Sequence, residues 1–204
     1  MDIVKITQKT IPKIALDQAT RVLKDGGIVV YPTDTAYGLA IDALNEQAVG
    51  KIFIIKKRVQ KPLPVIVSDL KMLETIAKIN PLGLKLAKKY WPAPLTLIFE
   101  KKDNVPSSLT LGLPTIGVKI PDSKVAIELV KALGKPITST SANISGTKNN
   151  YSLDDVLKQF RDREARPNLY LDAGQLPEIP VSTVIDTTGD KVRVLRKGPV
   201  SVKA

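Results

Sequence analysis

The sequence predicts one domain of the α/β (α+β) class, in which helices flank a mixed β-sheet. Its length of 204 residues suits a single large domain, and 43% hydrophobic with 25% charged residues is typical of a globular protein. Segments with helical spacing of apolar residues alternate with short apolar segments along the whole chain. Several successive strand-like segments have no helix between them, which favours a mixed sheet over a purely parallel one.

Capping residues and apolar spacing define the elements of the first 120 residues. Apolar residues recur at helical spacing over 12–24, where Pro12 suits a first turn and Gly26 and Gly27 end the helix. Asn45 is the predicted N-cap of a second helix, which runs into the basic residues 56–58. The other predicted elements are strands at 27–32 and 63–68, helices at 70–77 and from 80 to about 91, and strands at 95–101 and 115–120.

The remaining elements follow from the same signals. Asp122 or Ser123 caps a helix that Gly134 closes. Residues 137–141 enter the interior as a strand or an extended segment. Ser152, with Asp155 three residues later, begins a helix that continues to residue 160. Three strands follow, at 169–173, 183–186 and 192–196.

Cysteine and histidine are both absent from the sequence. The absence of cysteine excludes disulfides, thiolate nucleophiles and zinc sites with cysteine ligands. The absence of histidine removes the commonest general base and every Ser-His or Cys-His catalytic pair. Any chemistry must therefore use positioning, lysine and arginine charges, hydroxyls, carboxylates or a hard cation such as magnesium.

Positive charge is concentrated in one part of the chain. The formal net charge is +11, and residues 51–102 hold twelve lysine or arginine residues against three acidic ones. Such a region attracts phosphates, whether those of a nucleotide or of RNA. Solvated, lysine-rich helix faces account for the same pattern. No apolar run reaches the roughly 20 residues of a membrane span, so we expect a cytoplasmic protein without a membrane partner.

The segment after the first apolar strand carries hydroxyls and an acid. Thr33 and Thr35 can each donate and accept hydrogen bonds, and Asp34 can bind an amine or an ion. Ligands of α/β proteins lie at such strand ends. A turn in which Asp and Thr side chains bond to the backbone explains the same residues.

Two further segments are candidates for binding an anion. Lys56, Lys57 and Arg58 end a predicted helix, where cations are favoured for purely structural reasons; a phosphate clamp is the functional interpretation of the same residues. Residues 137–146 read ITSTSANISG, a run of hydroxyls whose small side chains let a phosphate or carboxylate approach the backbone. A serine-rich surface loop is the alternative for this second segment, although its two isoleucines and lack of charge make it less natural.

In their order and spacing, several segments resemble the YrdC family. They are PTDTAYG at 32–38, KKR at 56–58, GVKIP at 117–121, STSANISG at 139–146, STVID at 182–186 and VLRKG at 194–198, with WPAPLT at 91–96 similar to a further family segment. The resemblance covers about residues 12–200. It implies a twisted sheet with a concave, basic cavity.

The resemblance also implies an activity. Members of the family condense L-threonine, bicarbonate and ATP, with Mg²⁺, into threonylcarbamoyl-AMP and pyrophosphate, which makes them nucleotidyltransferases. A separate threonylcarbamoyl transferase then modifies tRNA, and direct contact of the synthase with tRNA is left open by the resemblance. A carbamate already carries an anionic oxygen, so its attack on the α-phosphate of ATP needs positioned cations rather than a protein nucleophile.

The resemblance assigns roles to ten residues. Lys56 and Arg58 would hold the ATP phosphates as catalytic residues, and the other nucleotide contacts would be Thr115, Ser141, Asn143 and Arg196. The implied threonine contacts are Thr33, Lys119, Ser139 and Ser182. No magnesium ligand is implied, because magnesium that bridges phosphate oxygens keeps several waters.

The sequence departs from the family pattern at two positions. Lys119 replaces a usual arginine, which keeps the charge but loses a planar fork for a carboxylate. Ile66 stands where some members have histidine. Longer relatives carry a second domain, whereas we expect residues 1–204 to form one domain.

Two other functions fit parts of the sequence. A non-catalytic module that binds double-stranded RNA or tRNA would use the basic segment together with Tyr90 and Trp91. A carbamoyl-transfer role would match the related domain of hydrogenase-maturation carbamoyltransferases, but those chains handle carbamoyl phosphate in an upstream domain that we do not expect here.

Overall fold

The computed structural model describes residues 2–57, 61–160 and 165–202. Its helices are α1 (Lys13–Lys24), α2 (Glu46–Lys56), α3 (Leu70–Ile76), α4 (Pro81–Tyr90), α5 (Ser107–Thr110), α6 (Lys124–Leu133) and α7 (Leu153–Phe160). Its strands are β1 (Asp2–Lys5), β2 (Val29–Pro32), β3 (Tyr37–Ala40), β4 (Val65–Ile66), β5 (Ala77–Lys78), β6 (Leu95–Lys101), β7 (Thr115–Lys119), β8 (Ile137–Thr138), β9 (Thr140–Ser141), β10 (Leu169–Asp172), β11 (Thr183–Asp186) and β12 (Arg193–Arg196). None of the described helices is long and apolar enough to cross a lipid bilayer.

The described strands are divided between two hydrogen-bonded sheets. The first has the order β1-β10-β2-β3-β9, and the second has the order β12-β11-β6-β7-β4-β8, with β5 also paired to β6. Parallel pairs such as β1 with β10 and β11 with β6 occur beside antiparallel pairs such as β2 with β3 and β6 with β7. The predicted mixed α/β architecture is therefore confirmed, with its strands in two sheets.

The predicted helix caps are present. The Asn45 side chain accepts a hydrogen bond from the backbone N–H of Ala48 at the start of α2. Ser123 caps α6 in the same way, and Gly134 ends that helix with a φ of 73°, a left-handed conformation that glycine adopts without strain. Ser152 accepts a bond from the N–H of Asp155 at the start of α7. Local sequence signals thus locate these helix ends correctly.

Three described elements, β1, β3 and α5, lie where the sequence analysis assigned no regular structure, and a fourth, β5, begins at the last residue of a predicted helix, Ala77. Each is short, and the strands among them depend on partners distant in sequence, as when β1 pairs with β10. The segment 137–141 forms two strands in different sheets, β8 and β9. Ser139 lies between them, so it stands where the chain passes from one sheet to the other.

The core has two layers, one on each face of the first sheet. Val29 and Tyr31 of β2 pack with α1 and α6, whereas Val30 between them packs in the larger cluster that includes Leu97 and Val118 of the second sheet. Successive side chains of a strand point to opposite faces, and both faces of β2 are covered. This explains the unbroken apolar run in the sequence and places the second sheet against the first.

Three fully buried tyrosines make stability sensitive to alkaline pH. Burial raises the pKa of Tyr170 from 10.0 to about 12 and that of Tyr37 to about 12, and it also raises the pKa of Tyr31. Above pH 10 the unfolded chain loses these protons while the folded chain retains them, so stability present below pH 10 is lost as the pH rises towards 12. Urea unfolding at pH 9 and pH 11 measures this loss.

The free energy of unfolding at pH 7 is expected to be about 1 kcal/mol higher for the Tyr170→Phe variant than for the wild type. The reason is that the buried Tyr170 hydroxyl has no hydrogen-bond partner among the described residues. The variant should also lose less stability between pH 9 and pH 11. Tyr37→Phe is the matched control, since the Tyr37 hydroxyl donates to the Gly174 carbonyl and accepts from the Ala173 N–H. Equal destabilisation by both substitutions would contradict the assignment.

Candidate active site

A polar cavity lies between the two sheets, where ends of their strands approach one another. Its lining residues are Thr33, Thr35, Ala36, Tyr37, Gly38, Pro64, Thr96, Lys119, Ser139, Thr140, Ser141, Asn149, Val181, Ser182 and Arg196. Its volume is about 150 Å³. Because the cavity is open on one side, a ligand held in it can extend outwards.

Six of the predicted site residues meet in this cavity: Thr33, Lys119, Ser139, Ser141, Ser182 and Arg196. They come from separate segments of the chain, so only the fold brings them together. Lys56 and Asn143 lie behind the lining rather than in it. Thr115 stands apart from it, and Arg58 falls outside the described residues.

Thr33 belongs to the tight connection between β2 and β3. Its hydroxyl oxygen accepts hydrogen bonds from the N–H groups of Thr35 and Ala36, each at 3.1 Å, and it lies 2.7 Å from the Ala36 carbonyl oxygen. The turn with side-chain to backbone bonds, considered from the sequence, is therefore present. Because Thr33 and Thr35 also line the cavity, the same turn supplies two hydroxyls to the site.

Lys56 is buried at the end of α2 and supports the loop that carries Ser141. Its ammonium donates to the carbonyl oxygens of Ser141 and Asn143 and to the side-chain oxygen of Asn143. Only 1% of Lys56 is exposed, and its backbone carbonyl accepts a bond from the N–H of Ser145. Lys56 thus packs against the 139–146 segment and holds its backbone in place behind the cavity. A direct contact with phosphate stays a prediction.

Asn143 completes this support. Its side-chain oxygen accepts from the Ser141 hydroxyl at 2.6 Å, and its amide donates to the carbonyl oxygens of Thr147 and Lys148. Asn143 is therefore committed to contacts within the loop, and the serine-rich surface loop considered from the sequence is instead an ordered wall of the site.

Ser182 and Arg196 form the opposite wall. They lie on neighbouring chain segments because β11 and β12 are paired, and the Arg196 side-chain Nε–H donates to the Ser182 carbonyl oxygen at 2.9 Å. Nε is the one nitrogen of Arg196 that has a hydrogen-bond partner among the described residues. The two terminal nitrogens of the guanidinium can therefore donate to a ligand.

Lys119 at the end of β7 is paired with Asp34. The ammonium nitrogen and one carboxylate oxygen are 2.8 Å apart, and both side chains are buried. Burial and the negative charge of Asp34 raise the pKa of the Tyr31 hydroxyl. Thr115, by contrast, begins β7, about 13 Å from Lys119 at roughly 3.3 Å per residue. Its assignment as a nucleotide contact stays a prediction.

Sequence reasoning missed several lining residues. Thr35 was named as a candidate after the first strand but received no role from the family resemblance, and Thr96 was not singled out at all. The strand period of 95–101 could have placed Thr96 opposite the buried Leu95 and Leu97. No local signal marks Asn149, because its place in the cavity depends on the path of the loop after residue 146.

The lining suits an anionic ligand. It consists mainly of hydroxyls, with Lys119 and Arg196 as its cations, and none of its described residues is a carboxylate. No group of three or more Asp or Glu residues that could hold a metal ion occurs in the described ranges. Hydroxyls and fixed cations can bind and orient carboxylates and phosphates.

Known proteins resemble this chain over most of its length. The model of the Sua5, YciO and YrdC proteins, described as "Telomere recombination", matches residues 21–198. The threonylcarbamoyl-AMP synthase of Pyrococcus abyssi is 37% identical over 182 residues, which are 88% of this chain and 53% of that protein. A putative threonylcarbamoyl-AMP synthase of Methanocaldococcus jannaschii is 34% identical, over 94% of this chain and 89% of that protein.

A solved structure shares the fold. The crystal structure of P. abyssi Sua5 complexed with L-threonine superposes with a TM-score of 0.89 at 34% identity, over 97% of this chain and 58% of that chain. The present chain thus spans little more than half the length of the P. abyssi protein. With the family model matched over residues 21–198, the chain belongs to the Sua5/YciO/YrdC family.

Proposed function

We propose that the protein is a threonylcarbamoyl-AMP synthase, a nucleotidyltransferase that condenses L-threonine, bicarbonate and ATP. The observation that carries the proposal is the meeting of Thr33, Ser139 and Ser182 with the cations Lys119 and Arg196 in one cavity. Relatives named for this activity and a relative bound to L-threonine support it.

The proposed reaction has two steps. The threonine amine combines with bicarbonate to give N-carboxythreonine and water, with net release of one proton. A carbamate oxygen then attacks the α-phosphorus of ATP, and the bond to the bridging oxygen breaks to release pyrophosphate. The nucleophile is already an anion, so the protein has to align the reactants and offset their negative charge. A chain without histidine or cysteine can do both.

In this proposal the two cations of the cavity bind different reactants: Lys119 binds threonine and Arg196 binds ATP. Lys119, beside Thr33 and Ser139, holds the carboxylate of threonine, and Ser182 contacts the same substrate. Arg196 directs its guanidinium towards the nucleotide phosphates, for which it can form two parallel hydrogen bonds. Lys56 acts from behind, by fixing the carbonyl of Ser141.

Magnesium, tRNA and a later enzyme complete the proposal. A magnesium ion bound with ATP would offset the charge of the phosphates. Its ligands would be phosphate oxygens and water, because the described cavity lining contains no carboxylate. The product is an activated intermediate for a threonylcarbamoyl transferase that modifies tRNA. Direct contact of this chain with tRNA would use the basic residues of the 51–102 segment.

The experiment measures pyrophosphate and threonylcarbamoyl-AMP from purified protein with ATP, magnesium, L-threonine and bicarbonate. We expect both products together, and neither when threonine or bicarbonate is omitted. Ser182→Ala is expected to lower kcat/KM about tenfold through loss of one hydrogen bond, while Ser201→Ala, an exposed position near the chain end, leaves it unchanged. Absence of both products with all substrates present rejects the proposal.

A further inference from the structure

The wall of the cavity contains a buried ion pair whose partners differ in their access to a ligand. The side chains of Lys119 and Asp34 are 3% and 5% exposed, and the distance between Nζ and Oδ1 is 2.8 Å. Lys119 lines the cavity, whereas Asp34 lies behind it between two residues that do, Thr33 and Thr35. A ligand at this wall therefore faces a cation with an anion close behind and to one side.

The pair is not saturated. The second carboxylate oxygen of Asp34, Oδ2, is buried and has no hydrogen-bond partner among the described residues. Within the same ranges, the ammonium of Lys119 has one acceptor, Asp34, although it carries three N–H donors. Both partners can therefore act on a further charged group, Lys119 by direct contact and Asp34 through its field.

Charge at this wall favours one class of small molecule. In a buried site the field of a carboxylate is weakly screened, so Asp34 disfavours a second anion near Lys119. An α-amino acid carries an ammonium next to its carboxylate, and the ammonium offsets this repulsion. A carboxylic acid without the amino group gains the attraction of Lys119 but meets the repulsion of Asp34 uncompensated.

We propose that Asp34 is a specificity-determining residue, which together with Lys119 makes the cavity select amino-acid zwitterions over carboxylates that lack the α-amino group. The inference rests on the proposed function and deepens it. Asp34 lowers the affinity of the site for carboxylates in general, and this loss is the source of discrimination, because specificity is a difference between two affinities.

Lysine at position 119 suits this arrangement. Its ammonium is a compact point charge that forms one bond to Asp34 and keeps two donors for a ligand. The pair thereby works as a fixed dipole, with its positive end at the cavity surface and its negative end one bond behind it.

Calorimetric titration with two ligands tests the inference. The ligands are L-threonine and 3-hydroxybutyrate, which is threonine without its α-amino group, and the proteins are the wild type and Asp34→Asn. The ratio of the 3-hydroxybutyrate Kd to the threonine Kd is expected to fall about tenfold in Asp34→Asn, the size of a weakly screened charge interaction across a few ångströms. The 3-hydroxybutyrate affinity itself should rise.

Asp42→Asn is the matched control. Asp42 is equally buried and pairs with Lys135 at the same 2.8 Å distance, but neither residue lines the cavity. This variant should lose less stability than Asp34→Asn, because Lys135 is 53% exposed whereas Lys119 is 3% exposed, and it should keep the ratio of the two dissociation constants. A purely structural role of Asp34 predicts that both ligands weaken together, and an unchanged ratio in Asp34→Asn overturns the inference.

A second variant covers the case in which Asp34→Asn does not fold. The double variant Asp34→Asn with Lys119→Gln replaces the ion pair by two neutral side chains that can still bond to each other. Its threonine preference should fall as well, and a retained preference overturns the inference. If threonine fails to bind the wild type, the proposed function fails, an outcome distinct from threonine binding with an unchanged ratio.

Discussion

Replacement of Lys56 by methionine is expected to lower the free energy of unfolding by about 3 kcal/mol, because it leaves buried oxygens without their donor. These oxygens are the carbonyls of Ser141 and Asn143. The side-chain oxygen of Asn143 also loses the Lys56 ammonium, but it keeps the Ser141 hydroxyl as a donor. Ser139 and Ser141 on the same segment line the cavity, so a shift of this backbone displaces residues of the site. A displacement of about 1 Å at such a wall reduces turnover roughly hundredfold.

Lys51→Met is the matched control on the same helix. The Lys51 ammonium also donates to a carbonyl, that of Gly26 at 2.7 Å, but the residue is exposed and its bond goes to the end of α1 rather than to the 139–146 segment. We expect this variant to lose less than about 1 kcal/mol and to keep full activity. Chemical unfolding and the pyrophosphate assay measure both variants.

The same pair of variants separates two roles for Lys56. If Lys56 acts by fixing the loop, Lys56→Met weakens both threonine and ATP and lowers stability. If it acts only by contact with phosphate, as the family resemblance implied, the variant weakens ATP alone and unfolds like the wild type. The second pattern would contradict the supporting role that its buried contacts indicate.

Local signals in the sequence were sufficient for elements that are fixed by nearby residues. The helix from Asn45 and the helix between Ser123 and Gly134 have the predicted ends, because their caps are made within one turn. The strand β1 was missed because its stability comes from β10, about 167 residues later. β3 was missed because the sequence run 33–38 was treated as one connection, whereas Tyr37 and Gly38 pair back onto β2.

In the site, too, local sequence signals identified single residues but not the contacts between distant ones. Motifs identified Thr33, Ser141 and Arg196, whose convergence in one cavity the fold then supplies. Two contacts of the site join residues that are 85 or more positions apart in the sequence. One links Lys56 to the 139–146 segment, and the other links Asp34 to Lys119. No periodicity or cap signals such pairs, so the burial of Lys56 and the partner of Lys119 could be learned only from the structure.

Substitution of Gly198 by alanine is expected to destabilise the protein by about 3 kcal/mol and to abolish threonine binding. A methyl group at this position would lie 2.5 Å from the Thr183 nitrogen and 2.7 Å from the Ser182 carbonyl carbon, and it would also meet the Val181 carbonyl oxygen. These are backbone atoms that cannot rotate away, so the chain itself must shift. Because Val181 and Ser182 line the cavity, this shift displaces one wall of the site.

Gly189→Ala tests whether the effect belongs to this close approach. Gly189 lies in the connection between β11 and β12, and a methyl group there meets nothing within 4 Å. This variant is expected to unfold within about 1 kcal/mol of the wild type, with any change towards greater stability. Chemical unfolding and threonine titration measure both glycine variants. Wild-type stability and threonine affinity in Gly198→Ala would mean that residue 198 does not pack against the 181–183 backbone, and the position of Ser182 in the cavity would then lose its structural support.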